Sequence, residues 1–222
     1  MDEFSFIGDA GWNDDERNLR LIKELELLKL GDVAVDVGAN AGSYTTYFSA
    51  WLGATGRIYS IEIMPNLYNF LEMTYGHLEN TKFINAAISD TNGIESVYDG
   101  GSFEACNIVG YSSDGRPNHK IGEIRSITLD TLLQNEPEIA LIKIDVEGAE
   151  LKVLKGMTET VKKTDAILIE IHFDEDWPEI RKILLEDFNL LCYNVGKEEE
   201  VTMDSPRAYQ CLCRRKNEDN SL

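Results

Sequence analysis

The sequence predicts an α/β protein built on an open, mostly parallel sheet, and three observations predict it. Short apolar, β-branched runs recur along the chain, flanked by glycine or polar turns, as strands buried on both faces do. Segments with apolar residues at helical spacing lie between them. Three of the runs, Val33–Val37, Arg57–Glu62 and Ile139–Asp145, carry an acid at or near the carboxyl end, the edge where open α/β sheets bind ligands. The 222 residues suffice for one such domain with a real core. We divide them into a lead-in and helix over residues 1–30 and the main domain over 31–222.

Taken in order, Met1 to Asn13 carries Phe4, Phe6, Ile7 and Trp12 and reads as a lead-in that packs on the core or closes over the site. Asp15 to Leu30 reads as a helix, with Leu19, Ile22, Leu25 and Leu28 on one face. Val33 to Val37 is the first strand, and a helix from Ser43 to Leu52 follows. The second strand is Arg57 to Glu62. Pro65 opens a helix from about Asn66 to Glu79, as proline does at a first turn. The third strand is Lys82 to Ile88. Gly93 to Gln134 is irregular, with a short strand at Glu95–Tyr98 and repeated glycine breaks. A loop of that length in a compact domain is usually functional or disordered, and Tyr111, Asn118 and His119 are its candidate substrate contacts. A short helix runs through Leu133. The fourth strand, Ile139 to Asp145, leads to a helix through Leu154. The fifth is Ala166 to His172, with the helix Pro178 to Phe188 behind it. Asn189–Val195 and Ala208–Arg214 read as a closing antiparallel hairpin.

The organising stretch is the first strand with its turn, Gly38-Ala-Asn-Ala-Gly42, and the helix start at Ser43. Strand, glycine turn and helix together offer close backbone approach and unpaired N–H groups to a polar ligand. Asp36 is an acid inside a buried strand, where an unpaired carboxylate is costly. Glu62, closing the second strand with Ile63 next to it, is placed to accept hydrogen bonds from ribose hydroxyls. No third glycine completes a dinucleotide fingerprint, and no Lys-Ser/Thr completes a phosphate loop. A nucleoside without phosphates fits better, namely S-adenosyl-L-methionine. Its site would comprise Asp36, Gly38, Asn40, Gly42, Ser43, Glu62, Ile63, Asp145 and the small residues Asn85, Ala86 and Ala87, which leave room for a flat adenine.

Composition narrows the partners. Forty acids against 21 bases give a formal charge of −19. That balance argues against a nucleic-acid backbone and against an anionic membrane, since both would repel it. Four cysteines, Cys106, Cys192, Cys211 and Cys213, show no metal spacing and read as reduced thiols in a cytoplasmic setting. Neither a signal peptide nor an apolar run long enough to span a bilayer is visible.

Three segments together resemble the signature of the FkbM-type methyltransferases, which are class I S-adenosylmethionine-dependent enzymes. They are Val35-Asp-Val-Gly-Ala-Asn-Ala-Gly42, then Ile142-Lys-Ile-Asp-Val-Glu-Gly-Ala-Glu-Leu151 with Leu154-Lys-Gly156, and Ile169-Glu-Ile-His172. Ser126 to Asp130 also resembles the family's lead-in to the fourth strand. The resemblance implies a Rossmann-like sheet of seven strands, the last antiparallel and inserted between the fifth and sixth. It implies methyl transfer, typically to a hydroxyl of a sugar, glycan or other small molecule. Asp36, Gly38, Asn40 and Gly42 match the cofactor turn, Glu62 the ribose acid, Asp145 and Glu147 the fourth-strand motif, and Glu170 and His172 the fifth.

Transfer from a sulfonium to a hydroxyl needs positioning and a base near the acceptor oxygen. Asp145, Glu170 and His172 are the catalytic candidates. His172 has the reference pKa nearest neutrality, with Glu170 or Asp145 to orient it. A divalent metal on Asp145, Glu170 and His172 is the less favoured alternative. Glu150 reads as an acid serving the following helix's N-terminus. A catalytically silent nucleoside-binding module and a nicotinamide-dependent oxidoreductase are the other functional classes open to this sequence.

Overall fold

The structure is a computed structural model and describes residues 14–101, 105–111, 116–194, 199–200 and 209–216. The expected lead-in, Met1 to Asn13, lies outside the described residues, as does the polar tail beyond Lys216. The elements are α1 (Asp14–Glu24), β1 (Val33–Val37), α2 (Ser43–Leu52), β2 (Arg57–Glu62), α3 (Pro65–Tyr75), β3 (Thr81–Asn85), β4 (Ala87–Ile88), β5 (Gly93–Asp99), β6 (His119–Ile127), α4 (Leu129–Leu132), β7 (Ile139–Ile144), α5 (Glu150–Lys155), a 3₁₀ turn (Val161–Lys163), β8 (Thr164–Ile171), α6 (Trp177–Asp187), β9 (Phe188–Asn194), β10 (Glu199–Glu200) and β11 (Tyr209–Arg215).

The main sheet runs β10-β9-β11-β8-β7-β1-β2-β3. Neighbours from β3 to β8 pair in parallel, whereas β11 is antiparallel to both β8 and β9. Apart from the two-residue β10 at the edge, this is the expected seven-stranded arrangement, with the last strand inserted between the fifth and sixth. The strands are buried where their sequences are continuously apolar. All five residues of β1 are buried, and Ile139, Leu141, Ile142 and Ile144 of β7 are fully so. Leu19 and Ile22 of α1 pack with Tyr44, Phe48 and Leu52 of α2 on one face of the sheet. On the other face Val153, Leu154, Ile180 and Leu184 join the larger core.

Four expectations need correction. The third strand does not run unbroken from Lys82 to Ile88. It leaves the main sheet after Asn85, and Ala87–Ile88 pairs in parallel with β6 in a second, three-stranded sheet, β4-β6-β5. The irregular middle segment holds a nine-residue strand, β6, antiparallel to β5. The first helix ends at Glu24 and not at Leu30. All four cysteines were expected to be reduced; Cys106 and Cys213 are buried, but Cys211 is disulfide-bonded, and the residue opposite it in the strand register is Cys192. Among the described residues no helix is long and apolar enough to cross a membrane.

Candidate functional site

A cleft of roughly 630 Å³, part of it open to solvent, lies at the carboxyl ends of β1, β2 and β7. It lies at the sheet edge where open α/β folds place small-molecule sites. One wall is the β1 turn, and its geometry follows from Gly38. That residue has φ +81°, and a Cβ there would sit 1.8 Å from the Asp145 carbonyl oxygen. Glycine is thus required because β1 and β7 emerge pressed together, a reason different from the ligand approach expected of it. Asn40 follows with φ 48°, which turns its N–H toward Glu62.

Glu62 is 4% exposed and uses both oxygens. It accepts from the Asn40 N–H at 2.8 Å and from the Met64 N–H at 2.7 Å. Burial raises its carboxyl, and the two backbone donors oppose the rise. The turn beneath it is held by the Asn85 amide, which donates to the Glu62 and Ile63 carbonyls.

Seven residues expected to touch the cofactor line this cleft: Gly38, Asn40, Glu62, Ile63, Ala86, Ala87 and Asp145. Asp36, Gly42, Ser43 and Asn85 do not. Asp36 is fully buried under the turn, where it accepts from the Thr45 hydroxyl at 2.6 Å and lies 3.7 Å from the Lys143 ammonium. Gly42 is packed against Leu71 and Tyr75 of α3, Ser43 is exposed at the start of α2, and Asn85 braces the turn. From the middle segment, Cys106, Asn107 and Ile108 close the cleft. The residues named for that role do not line it. Tyr111 stacks on Phe173 with ring centroids 5.0 Å apart, Asn118 is half-buried, and His119 is exposed at the start of β6.

Lys143, which carried no role in the sequence reading, is 5% exposed and connects the site's acids. Its ammonium donates to the Gly38 carbonyl at 2.8 Å, lies 3.3 Å from Asp145 and stands 5.1 Å above the Tyr44 ring. Burial alone would lower its pKa, but Asp145 and Asp36 outweigh that and leave it raised.

Beyond Asp145 the cleft meets a cluster around His172. The Nδ1–H of His172 donates to Glu150 Oε1 at 2.9 Å. That oxygen also accepts from the N–H of Gly148 at 3.0 Å and of Val146 at 3.4 Å, so it is a carboxylate acceptor and Nδ1 carries the proton. Glu150 is 1% exposed, and it, not Glu170 or Asp145, orients the imidazole. Its place in the first turn of α5 made a capping role the nearest reading; a contact to a residue 22 positions away left no local signal. Around Nε2 stand Glu147 at 3.5 Å, Glu170 at 3.8 Å and Asp145 at 3.9 Å. Burial alone would lower the imidazole's pKa, but Glu150 and the other carboxylates raise it to about 10. Burial pushes Glu147 up to about 7, with the neighbouring acids adding to the rise and His172 opposing it. Glu170 is raised by burial and by Asp145. Among the described residues, those whose ligand atoms lie within 4.8 Å of one another are Asp145, Glu147 and His172, so the metal-capable set takes Glu147 where Glu170 was expected.

The chain is 28% identical over 169 residues to the hexuronic acid methyltransferase AglP of Haloferax volcanii, covering 73% of this chain and 65% of that protein. It thus spans about two-thirds of that relative's length. Among solved structures, an FkbM methyltransferase from Methylobacillus flagellatus KT superposes with a TM-score of 0.55 at 17% identity, over 96% of this chain and 58% of that one. An rRNA methylase from Streptococcus thermophilus superposes with a TM-score of 0.54 at 10% identity, over 94% of this chain and 100% of that one. The methyltransferase FkbM domain matches residues 36–191, from the buried acid of β1 to the middle of β9, and so takes in every side chain of the cleft and of the His172 cluster. On that match the chain belongs to the FkbM family of S-adenosylmethionine-dependent methyltransferases.

Proposed function

We propose that this methyltransferase carries the methyl group of S-adenosylmethionine to a hydroxyl of a sugar or glycan. The observation that carries the reading is the junction of two sites. Asp145 and Glu147 line the donor cleft and also face His172 Nε2, so the acceptor's proton-handling groups stand beside the methyl donor. In this reading Glu62 takes the ribose hydroxyls, and Ala86 and Ala87 lie beside the adenine. The acidic rim also favours a ligand that carries a sulfonium.

The reaction is an in-line displacement. The acceptor oxygen forms a bond to the methyl carbon, and the carbon–sulfur electron pair leaves on sulfur as S-adenosylhomocysteine. The hydroxyl proton passes to a carboxylate of the cluster. Asp145 and Glu147 are the two that also reach the donor cleft, Glu170 stands behind them, and Glu150 holds His172 in place. Most of the rate enhancement would come from positioning two reactants in one pocket.

The name of the Haloferax relative supports a sugar acceptor. The charge of −19 supports a saccharide over an RNA, although an rRNA methylase shares the fold. The test is incubation of neutral and uronic saccharides with isotopically labelled S-adenosylmethionine, followed by mass spectrometry and alkaline hydrolysis. A labelled methyl that survives alkali is the expected ether. An alkali-labile ester, label on RNA alone, or no turnover with bound donor would overturn the reading. Titration with a nicotinamide cofactor is expected to show no binding.

A further inference from the structure

We propose that Asp145, Glu147 and His172 form a divalent-cation site, of a kind suited to Mn²⁺, at the acceptor end of the donor cleft. The ligand atoms would be one carboxylate oxygen from each acid and His172 Nε2, which lie within 4.8 Å of one another.

The first argument is a gap. His172 is largely buried, yet among the described residues Nε2 makes no hydrogen bond. Its nearest oxygens, at 3.5, 3.8 and 3.9 Å, belong to three different carboxylates. These separations are long for N–H···O bonds, whose donor–acceptor distance is about 2.9 Å. They suit ligands arranged about a common centre, since a cation roughly 2.1 Å from each would hold neighbouring ligand atoms about 3 Å or more apart. The second argument is charge. Asp145, Glu147, Glu150 and Glu170 surround one imidazole, and Lys143, in contact with Asp145, also serves the buried Asp36. A dication at the centre would offset the excess. The third is the ring's far side. Nδ1–H is held by Glu150, a carboxylate 1% exposed, which fixes the tautomer that leaves Nε2 free as a ligand.

Two carboxylates and one imidazole form a mixed oxygen–nitrogen set, which suits Mn²⁺ better than a thiolate-seeking ion. Three protein ligands leave positions open for water or for an acceptor hydroxyl, whose pKa the cation would lower. The hydroxyl proton would then pass to Glu170, which stays outside the ligand set. This use of the cation rests on the methyl-transfer reading; its binding does not.

Binding of Mn²⁺ alone to the purified protein, read by electron paramagnetic resonance and by calorimetry without methyl donor, tests the site. One saturable site is expected. Glu147→Gln and His172→Asn should each weaken it at least about tenfold, and Glu150→Gln by roughly 10–100-fold through loss of ligand orientation. Glu79→Gln, at an exposed acid outside the cluster, should leave it unchanged. Circular dichroism of each variant separates lost binding from lost folding. The absence of a saturable site, or equal weakening by Glu79→Gln, would overturn the proposal. Retained Mn²⁺ binding with no transfer to any saccharide would count against the acceptor reading and leave the cation site standing.

Discussion

Replacing Lys143 by Met tests how the site's acids are held. The thioether keeps the apolar stem and removes the ammonium. Lys143 is 5% exposed and Asp36 0%, so the pair sits where water cannot take over. Without the ammonium, Asp36 retains the Thr45 hydroxyl on one oxygen, while its other oxygen has no hydrogen-bond partner among the described residues. Asp145 loses its cationic neighbour at 3.3 Å and the Gly38 carbonyl its donor at 2.8 Å. Breaking a buried ion pair from one side costs about 3–5 kcal/mol. Asp36 limits that cost by protonating, since burial already raises its pKa with Lys143 present. In a domain of this size each kcal/mol moves Tm by roughly 2–4 °C, so Lys143→Met should melt about 6–20 °C lower by circular dichroism. Asp36→Asn combined with Lys143→Met should recover part of the loss, with a coupling of about 1–3 kcal/mol in the double-mutant cycle. A single-variant shift below about 2 °C, or strictly additive effects, would show that the ammonium does not neutralise Asp36.

Three further outcomes follow from particular contacts. Glu62→Gln puts an amide NH₂ against one of two backbone donors, so S-adenosylmethionine should bind about tenfold or more weakly by calorimetry, and the unpaired buried donor, at about 1–3 kcal/mol, should lower Tm by roughly 2–12 °C. Gly148→Ala should lower Tm and abolish transfer, because φ is +101° and the new Cβ would sit 1.8 Å from the Phe173 ring; the strain alone is worth about 1–3 kcal/mol. Asp130 accepts from the Thr158 hydroxyl and from the N–H groups of Glu159 and Thr160. Burial alone would raise its pKa, but these bonds lower it. Its folded pKa thus lies below the unfolded value, and its contribution is complete above about pH 4 and lost as pH falls through the folded pKa. The stability gap between wild type and Asp130→Asn, read by urea titration, should be constant from pH 7 to about 5 and shrink below about 4.

What could be read from the sequence was what local periodicity encodes. The bounds of β1, α2 and β2 are those expected, because β1 is uniformly buried, glycines cap α2 at both ends and Gly56 precedes β2. β6 was not legible. Its residues His119 to Glu123 are exposed, Gly122 interrupts any alternation, and pairing with β5 supplies the order that side-chain burial does not. The break after Asn85 was hidden for the opposite reason. Both pieces are apolar enough to read as one strand, and only the divergence of two sheets separates them. In the site, acids at strand ends were visible individually, while their partners were not. Yet one signal was present. A lysine within the apolar run Ile139–Ile144 cannot be buried without an opposite charge. The strand order supplies it, since Asp36 and Lys143 are register partners across β1 and β7. The same adjacency carries Asp145 to the Gly38 turn, so the charge balance of the cleft follows from which two strands lie side by side. That fact belongs to topology, and no window of sequence contains it.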